Sequence, residues 1–379
     1  MLQTALTMAL LVGAALLIRT AHNLSRVRPG YDTENILAMT VTTVQGNRWK
    51  EFHTLALERV SALPGVKHAA FVWGLPLTGN KWPGVMEIVG RQILNPLKDQ
   101  LILPLRSVTP DYFDALGIRL VDGRGFRPSD DDKAPPVAVV NEAFAARYFP
   151  GANPIGHQMH FAGDTNRLIE IVGMIGNTRT ENLSQEADPE IYFPFWQNGA
   201  FSKHLLVRAQ SDPRPLLAMV QREIHAIDPT AAVEHVQTME DIRRESVASR
   251  TFAMRLLIAF AVVASLLALV GIYGVLSLSV GSRSKEIAVR VAIGAQRREI
   301  LEMILGDGFR LVALGLLLGA IIAVSLGRLL GTFLFEVTPS DPFTLASVTF
   351  LFAAVAMLAC WLPARRATRI DPMEALRNE

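Results

Sequence analysis

Residues 282–299 read SRSKEIAVRVAIGAQRRE, and long apolar runs flank them at 256–280 and 311–327. The segment sets Arg283, Lys285, Arg290, Arg297 and Arg298 against Glu286 and Glu299. It is longer and more charged than a plain turn between two helices requires. Positive joints between membrane spans stay on the cytoplasmic side. The stretch therefore puts the chain in a bilayer and leaves a charged helix where a soluble partner can reach it.

Half of the chain is hydrophobic, and its mean hydropathy is positive. Soluble domains of this length are rarely so apolar. The excess collects in four runs, 5–18, 256–280, 311–327 and 345–362. A bilayer core takes about 20 apolar residues of helix. The second and fourth runs satisfy this outright, and the third does so once 303–305 or 329–335 is added. The first run is short because it starts almost at Met1. No basic residue precedes its centre, and no clean small-x-small site follows in IRTAHNLSRVRPG, residues 18–30. A retained span is expected there, not a cleaved signal. The net charge of +2 implies no bulk attraction to nucleic acid. The single cysteine, Cys360, excludes a disulfide framework within the chain.

Charge then orients the spans. The loop at 335–344 holds Glu336 and Asp341 and no lysine or arginine. The tail holds Arg365, Arg366, Arg369 and Arg377 against Asp371, Glu374 and Glu379. Both termini and the 282–299 segment read as cytoplasmic, and the long stretch between the first two spans reads as external. Arg19, Arg26 and Arg28 dissent, since they fall at the outer end of the first span. Long domains cross despite local charge, and residues normally preceding Met1 would supply the same explanation.

The external stretch mixes strand and helix. Residues 36–44 alternate like a strand, and 49–63 place Phe52, Leu55, Ala56, Arg59, Val60 and Leu63 near one helical face. Pro64-Gly65 breaks that helix, and 66–73 form another strand. The order recurs as strand 204–210, helix 215–227, break at Asp228-Pro229 and strand 232–237. Two β-α-β units separated by a long insertion predict one split subdomain whose halves pair. The insertion brings strands at 136–141 and 169–175 and a helix at 142–148. Residues 239–254 form an amphipathic helix running into the second span.

With these elements in place, the run SRSKEIAVRVAIGAQRREIL at 282–301 resembles the segment after the second span in FtsX-like and MacB-like permeases. The tail PARRATRIDPMEALR at 363–377 resembles the end of the same domain. VTPDYFDALGIRLVDGRGF at 108–126 and VVNEAFAARYFPGANPIG at 139–156 resemble the MacB-type periplasmic core domain. The resemblance covers essentially the whole chain and is nearest to the second half of a duplicated permease of acidobacterial type, so a fragment of a longer chain is one expectation. It implies an α+β membrane protein: four transmembrane helices with a two-subdomain α/β extracytoplasmic domain inserted between helices 1 and 2. The expected division is a first helix at 1–20, a core domain at 21–245 and a permease domain at 246–379. In the core domain, porter-like parts at about 35–73 and 203–238 surround an insertion at about 74–202. In the permease domain, spans at about 256–280, 305–331 and 344–363 accompany a coupling segment at 282–300.

The resemblance further implies a non-catalytic subunit in an inner membrane. It would pass motion from a cytoplasmic ABC ATPase in another chain to the outer domain, in efflux or envelope transport. Arg283, Lys285, Glu286, Arg290, Gly294, Ala295, Arg297 and Arg298 form the expected ATPase-coupling set, with Ile287, Ala288, Val291 and Ala292 as its apolar stripe. An interfacial helix lying in the headgroups explains the same pattern without any partner. Gly315 and Gly319, then Gly327 and Gly331, form G-x-x-x-G spacings for close helix packing. Pro363, Arg365, Arg366 and Arg369 anchor the tail. A second copy or a second permease half, and the bilayer itself, are the other expected partners.

Catalysis has little support. No G-x-x-x-x-G-K-[ST] and no G-x-S-x-G stretch is present. His157 and His160 lie in a turn-rich region without a third ligand, and Asp130-Asp131-Asp132 lacks calcium-loop spacing. No metal, cofactor or enzymatic activity is expected. Trp73, Trp82 and Trp196 suit core packing or a ligand groove. The alternative function is a membrane-anchored envelope sensor or binding protein that needs no ATPase.

Overall fold

The computed structural model describes residues 2–44, 48–79, 83–91, 101–198, 203–282, 286, 289–290, 293, 296–329, 335–338 and 340–367. Arg283, Lys285, Gly294, Ala295, Gly331 and Arg369, the stripe Ile287, Ala288, Val291 and Ala292, and Trp82 lie outside the described residues. The chain divides into two compact units, Val27–Ala248 and Met1–Arg26 with Ser249–Glu379.

The first unit, Val27–Ala248, starts from an alternating strand. In β1 (Ile36–Thr42), Ile36 and Ala38 enter one apolar core, while Leu37, Met39 and Val41 enter another. Period-two geometry sends neighbours to opposite faces, and here both faces are covered. Helix α2 (Trp49–Ser61) buries Phe52, His53, Ala56 and Val60 on the second of these cores. Strand β2 (Val66–Val72) returns beside it. The later copy of this pattern is β10 (His204–Ala209), α6 (Leu216–Ile227) and β11 (Ala232–Thr238). Helix α6 adds Leu216, Val220 and Ile224 to the same core. The four strands run β11-β1-β10-β2, each antiparallel to its neighbour. The two β-α-β runs are thus interleaved, since β10 sits between β1 and β2.

Between them come β3 (Pro83–Ile88), β4 (Leu101–Val108), α3 (Tyr112–Leu116), β5 (Leu120–Gly123), β6 (Val137–Asn141), α4 (Glu142–Tyr148), β7 (Gln158–Phe161), β8 (Ile169–Ile175), β9 (Ile191–Pro194) and a short α5 (Phe195–Asn198). The pairings β4-β3-β7-β8-β6-β9 return to β4 through a parallel β4–β9 contact. This closes a ring of strands, whose core takes Leu101, Leu103 and Leu105 from β4 together with Met86, Val140, Ile171 and Phe193. The ring joins the four-stranded part through one register pair, Val72 with Val108.

The second unit contains four helices long and apolar enough to cross a membrane, at Leu2–Leu24, Met254–Ser279, Leu301–Ser325 and Pro342–Trp361. They belong to α1 (Leu2–Arg26), α7 (Met239–Ser282), α8 (Arg297–Leu329) and α9 (Pro342–Ala367). The amphipathic stretch from Met239 and the second span are one helix, α7. Helix α1 packs against α8 and α9, and α8 packs against α9. Met8, Val12, Leu16, Leu316, Ala356 and Cys360 share their core. Exposed side chains such as Phe260, Leu267 and Phe350 suit contact with lipid.

Candidate functional site

Helix α7 ends at Ser282, and α8 begins at Arg297. The described residues of the joint between them carry local order. The Ile293 amide donates to the Val289 carbonyl at 3.0 Å, one helical turn. Glu286 accepts from Arg290 at 2.7 Å, and the acid-then-base order at i,i+4 is the favourable one. A second Arg290 nitrogen lies 3.0 Å from Met303 Sδ on α8. The Gln296 amide donates to Glu299 Oε2 at 3.1 Å, which caps the start of α8. Arg298 donates to Glu302 at 2.8 Å. These pairs are exposed and stabilise by only about 0.3–0.5 kcal/mol each.

Between the charges, Val289 is 44% and Ile293 81% exposed. Four residues apart, they share a helical face. Neither belongs to the stripe expected from the sequence; the signal was the apolar i,i+4 pair around Arg290. Among its described residues, the joint therefore presents two exposed apolar side chains bordered by ionic pairs. Of the expected coupling residues, Glu286, Arg290 and Arg298 have described side chains here, and Arg297 opens α8.

The packing glycines divide. Gly315, Gly319 and Gly327 are buried. A Cβ at Gly319 would lie 2.5 Å from Met8 Cβ and 2.9 Å from the Ala5 carbonyl oxygen. Only glycine lets α8 approach α1 so closely there. At the tail, Arg365 stands over the Trp361 ring at 5.1 Å, while Pro363 and Arg366 are placed as helical positions of α9.

At the opposite ends of α8 and α9, Arg19 pairs with Asp341 and reaches Thr344 Oγ1 at 3.5 Å. The Asn23 amide donates to the Glu336 carbonyl at 3.3 Å, and the Phe335 amide donates to Thr20 Oγ1 at 3.4 Å.

The head unit has its own buried polar centre. Arg106 on β4 donates to Glu190 at 3.1 Å and to the Gly74 carbonyl at 2.6 Å. Glu190 also accepts from Tyr192 at 2.7 Å, Thr178 at 3.0 Å and Thr180. Burial alone would push the Arg106 guanidinium down, but Glu190 and the neighbouring Tyr192 and Tyr112 together outweigh this and keep it charged. Burial also pushes the Tyr31 and Tyr112 phenols far up.

The entry and exit of this unit lie together. Thr33 donates to Glu240 at 3.0 Å, and Tyr31, Met239 and Ile242 share one core. Gly30 has φ +85°, and a Cβ there would strike the Asn177 carbonyl.

No group of three or more His, Cys, Asp or Glu side chains able to hold a metal occurs among the described residues. His160 lies on strand β7, not in a turn, with its Nε2 3.8 Å from Glu87.

Four helices apolar enough to cross a membrane, a charged joint and a mixed α/β head make up a membrane protein with a large globular unit. The chain belongs to the MacB-like and FtsX-like permease family. The MacB-like periplasmic core domain matches residues 2–227, and the FtsX-like permease C-terminal domain matches residues 258–372. Membership makes it an ABC-transporter permease component whose head is of the periplasmic kind. The macrolide export ATP-binding/permease protein MacB of Acinetobacter baylyi is 26% identical over 294 residues, 73% of this chain and 42% of that protein. The pyoverdine export ATP-binding/permease protein PvdT of Pseudomonas putida is 25% identical over 286 residues, 68% of this chain and 40% of that protein. The chain thus spans about two-fifths of the length of these curated relatives. The periplasmic region of MacB from Actinobacillus actinomycetemcomitans is similar at 14% identity and a TM-score of 0.41, covering 59% of this chain and 97% of that structure.

Proposed function

We propose that this chain is a non-catalytic permease subunit that carries motion from a cytoplasmic ATPase in a separate chain to its extracytoplasmic head. The observation that carries the reading is the exposed pair Val289 and Ile293, set among Glu286, Arg290 and Arg298. A small apolar centre with an ionic rim is the usual form of a protein docking patch. Arg283, Lys285, Gly294, Ala295 and Arg297 complete the coupling set in this reading. Helix α7 then serves as the transmission rod, because it runs from Met239 to Ser282 as one helix. Both termini lie in the cytoplasm of a bacterial inner-membrane protein, and the head lies outside. The relatives' names support efflux or envelope transport as the setting. A second copy or a second permease half completes the transporter.

The test is ATPase stimulation in a reconstituted complex with the co-purified ATPase. Removing the charges of Arg290, Arg297 and Arg298 together, or changing Val289 and Ile293 to Ser, should abolish stimulation while insertion is retained. Undiminished stimulation in both variants would remove the docking role.

A further inference from the structure

Two phenols inside the head have no hydrogen-bond partner among the described residues. Tyr31 and Tyr112 are 6% and 0% exposed, and neither hydroxyl meets a donor or acceptor of the protein. Buried polar groups are almost always paired, so each such orphan has a physical cause. A third surplus stands beside them. Arg106 carries five N–H donors, as every guanidinium does. Its Nε serves Glu190, and its Nη1 serves the Gly74 carbonyl. Its Nη2 has only the Glu181 carboxylate, at 3.7 Å, beyond hydrogen-bond reach.

Strand geometry brings these groups to one side. Along β4, Leu101, Leu103 and Leu105 enter the ring core, so Arg106 shares the opposite face with Val108. Val108, Tyr31 and Tyr112 belong to one core. Tyr112 packs on Tyr192 with ring centroids 6.2 Å apart, and the Tyr192 hydroxyl donates to the same Glu190 that Arg106 holds. Burial acts most on the Tyr31 phenol, and the next influences on it are Tyr112 and Arg106, as expected of groups that face one another through the interior. Ser107 also has an unpartnered hydroxyl, but it lies one residue along β4 and points to the other face.

Glu190 cannot absorb the surplus. Its Oε1 already accepts from Arg106 and Thr180, and its Oε2 from Thr178 and Tyr192. Val139, Ile175 and Ile242, in the same core as the phenols, offer only carbon. The three surplus groups need a small partner that accepts from a guanidinium and bonds a phenol in either direction. Water does both, and an internal water makes about three such bonds. An ion suits the place poorly. Glu190 and Glu181 already face Arg106, so no anion is called for, and a cation would meet the guanidinium.

We propose that the head binds an internal water between Arg106 Nη2, Tyr112 Oη and Tyr31 Oη. The water completes the polar centre and ties the entry segment, through Tyr31, to β4 and α3 without a direct bond. The inference stands apart from the coupling reading, since it needs neither ATP nor a partner chain.

The experiment uses the full chain in nanodiscs. Tyr31→Phe and Tyr112→Phe keep the ring and remove only the oxygen. Deleting a buried hydroxyl that has no partner leaves stability unchanged or raises it. Deleting one that holds the water should lower the thermal midpoint by about 2–4 °C. The double variant should lose less than the two single losses added together, because both act through one molecule. A crystal structure of the full chain that resolves internal waters should show one at hydrogen-bond distance from Arg106 Nη2 and Tyr112 Oη. An unchanged or raised midpoint in either single variant would overturn the proposal. So would strictly additive losses, or well-ordered Arg106 and Tyr112 side chains with no water density between them.

Discussion

Arg19 on α1 pairs with Asp341, the residue that opens α9, across 322 positions of sequence. Asp341 also caps α9, accepting the Thr344 amide at 2.9 Å, with Pro342 at the first helical position. The sequence places Arg19 as a positive charge on the wrong side of the membrane. In the structure that charge is paired with a carboxylate from the start of α9.

Asp341→Ala removes both the cap and the pair. The loss should be about 1 kcal/mol from the cap, with a smaller part from the half-exposed ion pair. Arg19→Ala alone should cost less than Asp341→Ala. A double-mutant cycle on thermal unfolding in detergent measures the difference; equal costs for the two changes would assign the whole effect to the pair.

Glu190 should be the most sensitive single position in the head. It is fully buried, and its donors include Arg106, itself only 2% exposed. Glu190→Ala leaves that guanidinium buried with only the Gly74 carbonyl and the more distant Glu181 carboxylate, 3.7 Å away, which costs about 3 kcal/mol. Changing Arg106 and Glu190 together to Met should recover much of the loss. Calorimetry of the three variants decides this, and a double variant no better than the single one would contradict it.

Gly319→Val should separate α1 from α8, because its Cβ would overlap Met8 and the Ala5 carbonyl. Gly13→Ala is the matched control: nothing lies within 4 Å of its Cβ. That change should raise helix stability by up to about 1 kcal/mol. Thermal unfolding of the two variants in detergent reads the difference, and equal stability of both would contradict the close approach at Gly319.

The tie at Glu240 has a defined acid limit. Hydrogen bonding from Arg243, set against some burial, and then from Thr33 lowers its carboxyl to about 2. A carboxyl depressed in the folded state contributes stability above its unfolded value near 4.3, and that stability is lost as pH falls toward 2. The stability gap between the native chain and Glu240→Gln should therefore be constant from pH 7 to about 5 and close between about 4.5 and 2. The carboxylate and its arginine partner are each about a quarter exposed, so solvent screens the pair and the gap is small. A gap that already closes at pH 6 would point to a different group.

Local pattern carried much of this architecture, and pairing carried the rest. Phe52, Ala56 and Val60 recur at helical spacing, and α2 forms over them. Alternation in 36–42 marked β1, because both of its faces meet an apolar core. Spacing does not say which strand lies beside which. The parallel contact of Leu105 with Ile191 that closes the ring left no trace in either segment. Strand β7 has four residues, too few to show a period, so His160 read as part of a turn. At the joint, charge drew attention to Arg290, while the uncovered Val289 and Ile293 became visible only from their exposure.

Strand β1 takes both of its neighbours, β10 and β11, from more than 160 positions downstream. A ribosome makes the chain from its amino end, so β1 must wait without a partner while the whole ring is synthesised. Long-range closure of this kind slows folding and leaves apolar edges open in the meantime. Assembly of the head is consequently a late event, completed only once residues through Thr238 have emerged, and the early strands need shelter until then.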